Sequence, residues 1–103
     1  MIYISVQSNK DRVVGMNIHG HAHYANPGED LVCAGVSSIA TGLCNALDIL
    51  HPSTSCTIAN NIITIKISEP NDVSQTIMQT GIIQLETMVE VYSKYIKIIK
   101  QEV

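Results

Sequence analysis

The sequence predicts an α+β fold: two β-hairpins alternating with two helices, the helices packed on one face of a single sheet. Three observations predict it. Apolar residues alternate with polar ones in paired short runs over 2–18 and 56–67, and they recur at helical spacing over 32–50 and 78–92. Clusters of Gly, Pro, Asn and Asp punctuate the joins. The 103 residues make one domain, 1–103, because a domain takes ~100–150 residues and a second core would not fit.

Ile2, Ile4 and Val6 alternate with Tyr3, Ser5 and Gln7, the pattern of a half-buried strand. Ser8 to Arg12 reads as a turn, and Val14, Met16 and Ile18 continue as the second strand of a hairpin. From Gly20 to Asp30 the apolar pattern stops, and Asn26, Pro27 and Gly28 mark a loop too polar to be core. The first helix starts at about Asp30, an N-cap residue type whose charge also suits the positive end of the helix dipole. Val32, Val36, Ile39, Leu43, Leu47 and Leu50 share one helical face, and Pro52 ends it. Cys56 and Ile58, then Ile63, Ile65 and Ile67, form a second hairpin around Asn60-Asn61, since Asn tolerates positive φ. Pro70-Asn71-Asp72 opens the second helix, with Met78, Ile82, Leu85, Val89 and Tyr92 on its apolar face. Ile96 and Ile99 fit the same period, yet YIKIIKQEV also suits a short strand, and spacing does not choose between them.

Composition narrows the function. Apolar residues are 46% and charged residues 15%, the balance of a globular protein rather than a disordered one. No run reaches the ~18 apolar residues of a spanning helix, and the first residues carry no leader pattern, so a cytoplasmic protein is expected. Six Lys+Arg against nine Asp+Glu give a net charge of −3, which disfavours direct nucleic-acid or acidic-membrane contact. Three cysteines, Cys33, Cys44 and Cys56, with no CxxC, read as reduced thiols rather than a zinc ribbon or redox motif.

Cys33 has a chemical neighbourhood. With Asp30 as cap it falls in the first helical turn, where unpaired N–H groups and the dipole favour a thiolate, the form a nucleophile needs. His19, His21 and His23 lie 14, 12 and 10 residues upstream, and a loop of that length lets His21 double back to the helix N-terminus. The backbone N–H groups of Cys33 and Ala34 are candidate oxyanion donors. Ser37, one turn on, shares the face of Cys33, so its hydroxyl either reaches the thiol or bonds its own i−4 carbonyl. Cys44 is about 16 Å further along the axis, out of bridging range of Cys33, and reads with Cys56 as core. Two bland or rival readings stand beside this one. Cys33 is a small structural hydrophobe, or the three histidines and Cys33 hold zinc, unless Gly20 breaks the strand and the imidazoles diverge.

Gly20-His21-Ala22, then Gly28-Glu29-Asp30-Leu31-Val32-Cys33-Ala34-Gly35-Val36-Ser37, resembles the ribosomal-processing cysteine protease Prp family. Asn45-Ala46-Leu47, Gln84-Leu85-Glu86, Glu90-Val91-Tyr92 and Lys94-Tyr95-Ile96 look like it too, so the resemblance spans nearly the whole chain. It implies a bacterial endopeptidase, acting as a homodimer without a cofactor, that trims the N-terminal extension of large-subunit ribosomal protein twenty-seven after an aromatic residue. It implies His21 as base and Cys33 as nucleophile, Asp30 and Ser37 in support, and a mobile loop between His and Cys. Two positions depart from the family pattern: His23, often another polar residue, and Ser93, often Pro. A Pro there would end the second helix and favours a final strand from about Tyr95. The other classes that fit the composition are a non-enzymatic accessory protein binding a basic ribosomal peptide and a His/Cys metal-binding module.

Overall fold

The computed structural model describes residues 1–103. β1 (Ile2–Asn9) and β2 (Arg12–Gly20) form an antiparallel hairpin, followed by α1 (Leu31–Leu50). A second hairpin, β3 (Thr54–Ala59) and β4 (Ile62–Ile67), leads to α2 (Asp72–Tyr92) and β5 (Ile96–Glu102). The sheet has five strands in the order β3-β4-β2-β1-β5, with β5 parallel to β1 and every other pair antiparallel. Ile2, Ile4, Val6, Met16, Ile18, Ile65 and Ile67 supply the sheet's half of the core. Val32, Val36, Ala40, Leu43 and Leu47 of α1, with Met78, Ile82 and Leu85 of α2, supply the other half. The α+β layer architecture predicted from the periodicities is the one formed.

The C-terminal segment is a strand. Periodicity permits a continued helix, but burial separates the two: Ile96 is 2% exposed against β1, while Lys97 and Ile99 face out. A strand there also gives β1 a hydrogen-bonding partner on its second edge, as in the pairing of Ile4 with Ile98. The first turn is tighter than the Ser8–Arg12 stretch predicted. The strands run up to a two-residue turn, Lys10-Asp11, whose φ angles of 51° and 65° match the twist of a hairpin. Asn60 and Asn61, at 53° and 60°, make the same kind of turn in the second hairpin.

A bulge in β2 at Val14, opposite the Gln7/Ser8 step of β1, shifts the register, so Gln7 pairs with Gly15 but Ser8 with Val13. Val13 therefore enters the core at 3% exposure, where strict alternation would place Val14. Its backbone is satisfied from α2: the Val13 N–H donates to Gln75 Oε1 at 2.7 Å, and Gln75 Nε2 donates to the Val13 carbonyl at 2.9 Å. By length and composition alone α1 is apolar enough to cross a bilayer. The stripe it would show to lipid is the stripe it buries on the sheet, and Thr41, Asn45 and Asp48 occupy its outer side.

Candidate active site

Asp30 caps α1. Its Oδ1 accepts the N–H groups of Val32 and Cys33, both at 3.0 Å, and its Oδ2 accepts the Tyr24 N–H at 3.0 Å. The Cys33 N–H bond, together with those of Tyr24 and Ala25, holds the Asp30 carboxyl below the usual carboxylate range, against a weaker opposing effect of burial. One carboxylate thus fixes the helix that carries Cys33 and the loop that leads to it. Gly20, at φ +95°, ends β2 and turns the chain into that loop, and a Cβ there would fall 2.3 Å from the Met1 carbonyl. The N-terminal ammonium group donates to the His21 carbonyl, tying the loop's start to β1.

His21 and Cys33 line one cavity of about 540 Å³, together with His23, Pro27, Asp30 and Ser37. A second, smaller cavity also shares His21, Cys33 and Ser37, and reaches Asn61 and Ile63 on the second hairpin. Cys33 is half-buried and His21 exposed. No hydrogen bond joins them: Cys33 Sγ accepts the Ala22 N–H at 3.4 Å. The loop is thus less polar in its setting than its sequence suggests. Ala22 is 4% exposed and part of the core cluster. The Tyr24 ring packs edge-on against Tyr92 and Tyr95, with centroids 5.6 and 5.2 Å away.

His19 parts from the other two histidines at Gly20, while His21 and His23 stay together at the cavity. His19 stacks on Tyr3 at 5.4 Å, His21 and His23 stand 6.0 Å apart at a tilt of 55°, and His23 takes φ +53°. No three His, Cys, Asp or Glu side chains converge as a metal-binding group. The candidate oxyanion donors, the N–H groups of Cys33 and Ala34, both have partners in this structure. The Cys33 N–H is held by Asp30 Oδ1, and the Ala34 N–H, at 3.0 Å from the Asp30 carbonyl, closes the first helical turn. A good N-cap engages the very amides that an uncapped helix would leave open. Ser37 lines both cavities, but its hydroxyl bonds neither the thiol nor a backbone carbonyl; its own carbonyl accepts the Thr41 hydroxyl.

Sequence reasoning missed two features. The Ala22 N–H on the sulfur depends on the exact path of an irregular loop, which no periodicity encodes. The docking of Tyr24 was signalled only by an aromatic residue in a chain with four Tyr and no Phe or Trp.

A nucleophilic residue type at a capped helix start, facing a histidine across a cleft on an α+β scaffold, is the layout of a thiol hydrolase. The comparisons give the class its family. The model of the family described as "Cysteine protease Prp" matches residues 1–97. A curated relative from Staphylococcus aureus, "Ribosomal processing cysteine protease Prp", is 30% identical over 103 aligned residues, covering 95% of this chain and 97% of that one. A relative of the same name from Bacillus subtilis is 37% identical over 51 residues, 48% of this chain and 46% of its own. The crystal structure of the S. aureus protease with a covalently linked product peptide superposes with a TM-score of 0.91 at 28% identity, covering 98% of this chain and 100% of that one. The chain belongs to the cysteine protease Prp family, and it is a cysteine protease.

Proposed function

We propose that this protease removes the N-terminal extension of bacterial large-subunit ribosomal protein twenty-seven, with Cys33 as nucleophile and His21 as its base. The observation that carries the assignment is that His21 and Cys33 flank a single cleft, one on each side of a loop anchored at both ends. Two further facts support it: relatives bear the name of a ribosomal processing protease, and the S. aureus enzyme forms a covalent link to a product peptide.

The Cys33 sulfur attacks the scissile carbonyl carbon, and His21 takes the thiol proton and delivers it to the departing amine. Water then attacks the thioester, with His21 accepting its proton and returning it to sulfur, and the N-terminal extension leaves as an acid. With the Cys33 and Ala34 amides engaged, the Ala22 N–H is the donor best placed for the oxyanion. It already points at the sulfur, and it reaches a tetrahedral oxygen bonded next to that sulfur by a small shift. Asp30 and Ser37 support the site, Asp30 by holding helix and loop together and Ser37 as a hydroxyl in the cleft wall. A net charge of −3 suits a basic ribosomal peptide as substrate, and the reading includes cytoplasmic action and a homodimer. Incubation with the host's precursor ribosomal protein, followed by mass measurement, tests it. Loss of a defined N-terminal fragment in wild type but not in Cys33→Ala is expected, and an uncut precursor would refute the substrate.

A further inference from the structure

The other two cysteines stand together, away from the cleft. Cys56 pairs directly with Ile65 across the β3–β4 ladder, and Ile65 is 1% exposed under the helices. Directly opposed residues share a face, so Cys56 points toward α1. Cys44, on the flank of α1, meets it there. Cys44, Asp48 and Cys56 line one open cavity of about 530 Å³, and Cys44 and Asp48 are near enough to raise the Cys56 pKa. Both are free thiols and half-buried, so solutes reach them while packing holds them in place.

We propose that Cys44 and Cys56 are a reversible disulfide site joining α1 to the edge strand β3, and that a low-molecular-weight disulfide such as oxidised glutathione closes it. The steps balance. One thiol, as thiolate, attacks a sulfur of the small disulfide, forming a mixed disulfide and releasing one small thiol. The second protein thiol loses its proton and attacks the mixed disulfide at the protein sulfur, forming the bridge and releasing the second small thiol. Two protein thiols are oxidised and one small disulfide is reduced to two thiols. Burial above all, with the adjoining Cys44 and Asp48, pushes the Cys56 thiol up to about 12, which makes Cys56 a poor first attacker and leaves the first step of the proposal to Cys44. With Cys44 capped, Cys56 completes the bridge because the second attack is intramolecular.

The bridge fixes the second hairpin to the helix that carries Cys33. Asn61 and Ile63 of that hairpin line the smaller cavity at His21 and Cys33, so the redox state of the pair also sets the mobility of one wall of the cleft. Cys33 itself stands too far along α1 to join either cysteine.

The full chain, equilibrated in glutathione buffers from reducing to oxidising and quenched with iodoacetamide, tests this by peptide mapping. In oxidising buffer, peptides holding Cys44 and Cys56 should appear cross-linked with the loss of two hydrogens, and dithiothreitol should reverse it. The oxidised protein should melt several degrees above the reduced one, a difference absent in Cys56→Ser. Alkylation of both Cys44 and Cys56 at every redox poise, or glutathione adducts there that never resolve, would overturn the proposal. The pair lies outside the cleavage chemistry, so that result leaves the protease reading standing.

Discussion

Asp30 serves two masters, α1 and the loop, and its charge is what lets it do so. Its carboxyl is held below the ordinary value by the Cys33 and Tyr24 N–H groups. A carboxyl whose folded pKa is lowered contributes fully above its unfolded value of about 3.9 and loses that contribution as pH falls through the lower folded value. The start of α1 and the loop should therefore loosen together in acid, followed by amide exchange at Tyr24 and Cys33. Asp30→Asn should flatten that acid limb, because an amide does not titrate in this range, and though it still caps the helix it offers only one acceptor oxygen. Cys33→Ala should abolish cleavage and leave a folded protein. Cys44→Ala should keep turnover and cost roughly 1 kcal/mol of stability, and near wild-type cleavage by Cys33→Ala would sink the mechanism. His21→Gln should lose roughly 10²–10⁴-fold in kcat/KM, the usual worth of general-base assistance. His19→Gln and His23→Gln should stay within a few-fold, because His19 is held on Tyr3 outside the larger cavity and His23, a wall residue of that cavity, is not the assigned base. Equal losses at all three, with the wild-type activity abolished by a chelator, would restore the zinc reading.

Each helix and hairpin is written in a local pattern, which is why the elements were legible from the sequence. The Asn60-Asn61 turn, the Asp30 cap and the α1 stripe depend only on neighbouring residues. What was not legible is set by partners far away in the chain. The C-terminal segment is a strand because β1 offers it an edge, and Val13 enters the core because β2 bulges at Val14 against β1. The spacing of the two helices is a third such feature. A Cβ at Gly81 of α2 would sit 2.4 Å from Leu43 Cδ1, so α2 presents bare backbone to a leucine of α1. Gly81→Ala gains up to about 1 kcal/mol in helix propensity but overpacks by about 1–3 kcal/mol. A net loss near 1 kcal/mol is expected in urea unfolding. Combined with Leu43→Ala it should cost less than the sum of the two single changes. Additive losses would show that the two side chains do not share that space.

At the scale of the whole molecule, the cleft exists because three separate parts of the chain meet beside it. The candidate dyad was legible because a cap, a cysteine and a histidine lie within 13 residues of one another. The loop's anchorage was not, because its partners are some 70 residues away, at Tyr92 and Tyr95. Those residues bracket the join between α2 and β5, and the Tyr95 carbonyl accepts the Ile2 N–H at 2.8 Å. Tyr24 therefore couples the loop that carries His21 to the end of the helix layer and the edge of the sheet. Two edge-on aromatic contacts are worth about 0.5–1.5 kcal/mol each beyond the area they bury. Tyr24→Ala should thus release about 1–3 kcal/mol of docking free energy without touching sulfur or imidazole. The loop 22–28 should exchange its amides faster in that variant, and KM for the precursor should rise more than kcat falls, because the substrate must then order the loop as it binds. Tyr24→Phe keeps the ring and should behave as wild type. An uncleavable precursor peptide should restore protection to the Tyr24→Ala loop. If the loop is as protected in free Tyr24→Ala as in free wild type, the aromatic anchor does not hold it, and the ordering must come from Asp30 alone.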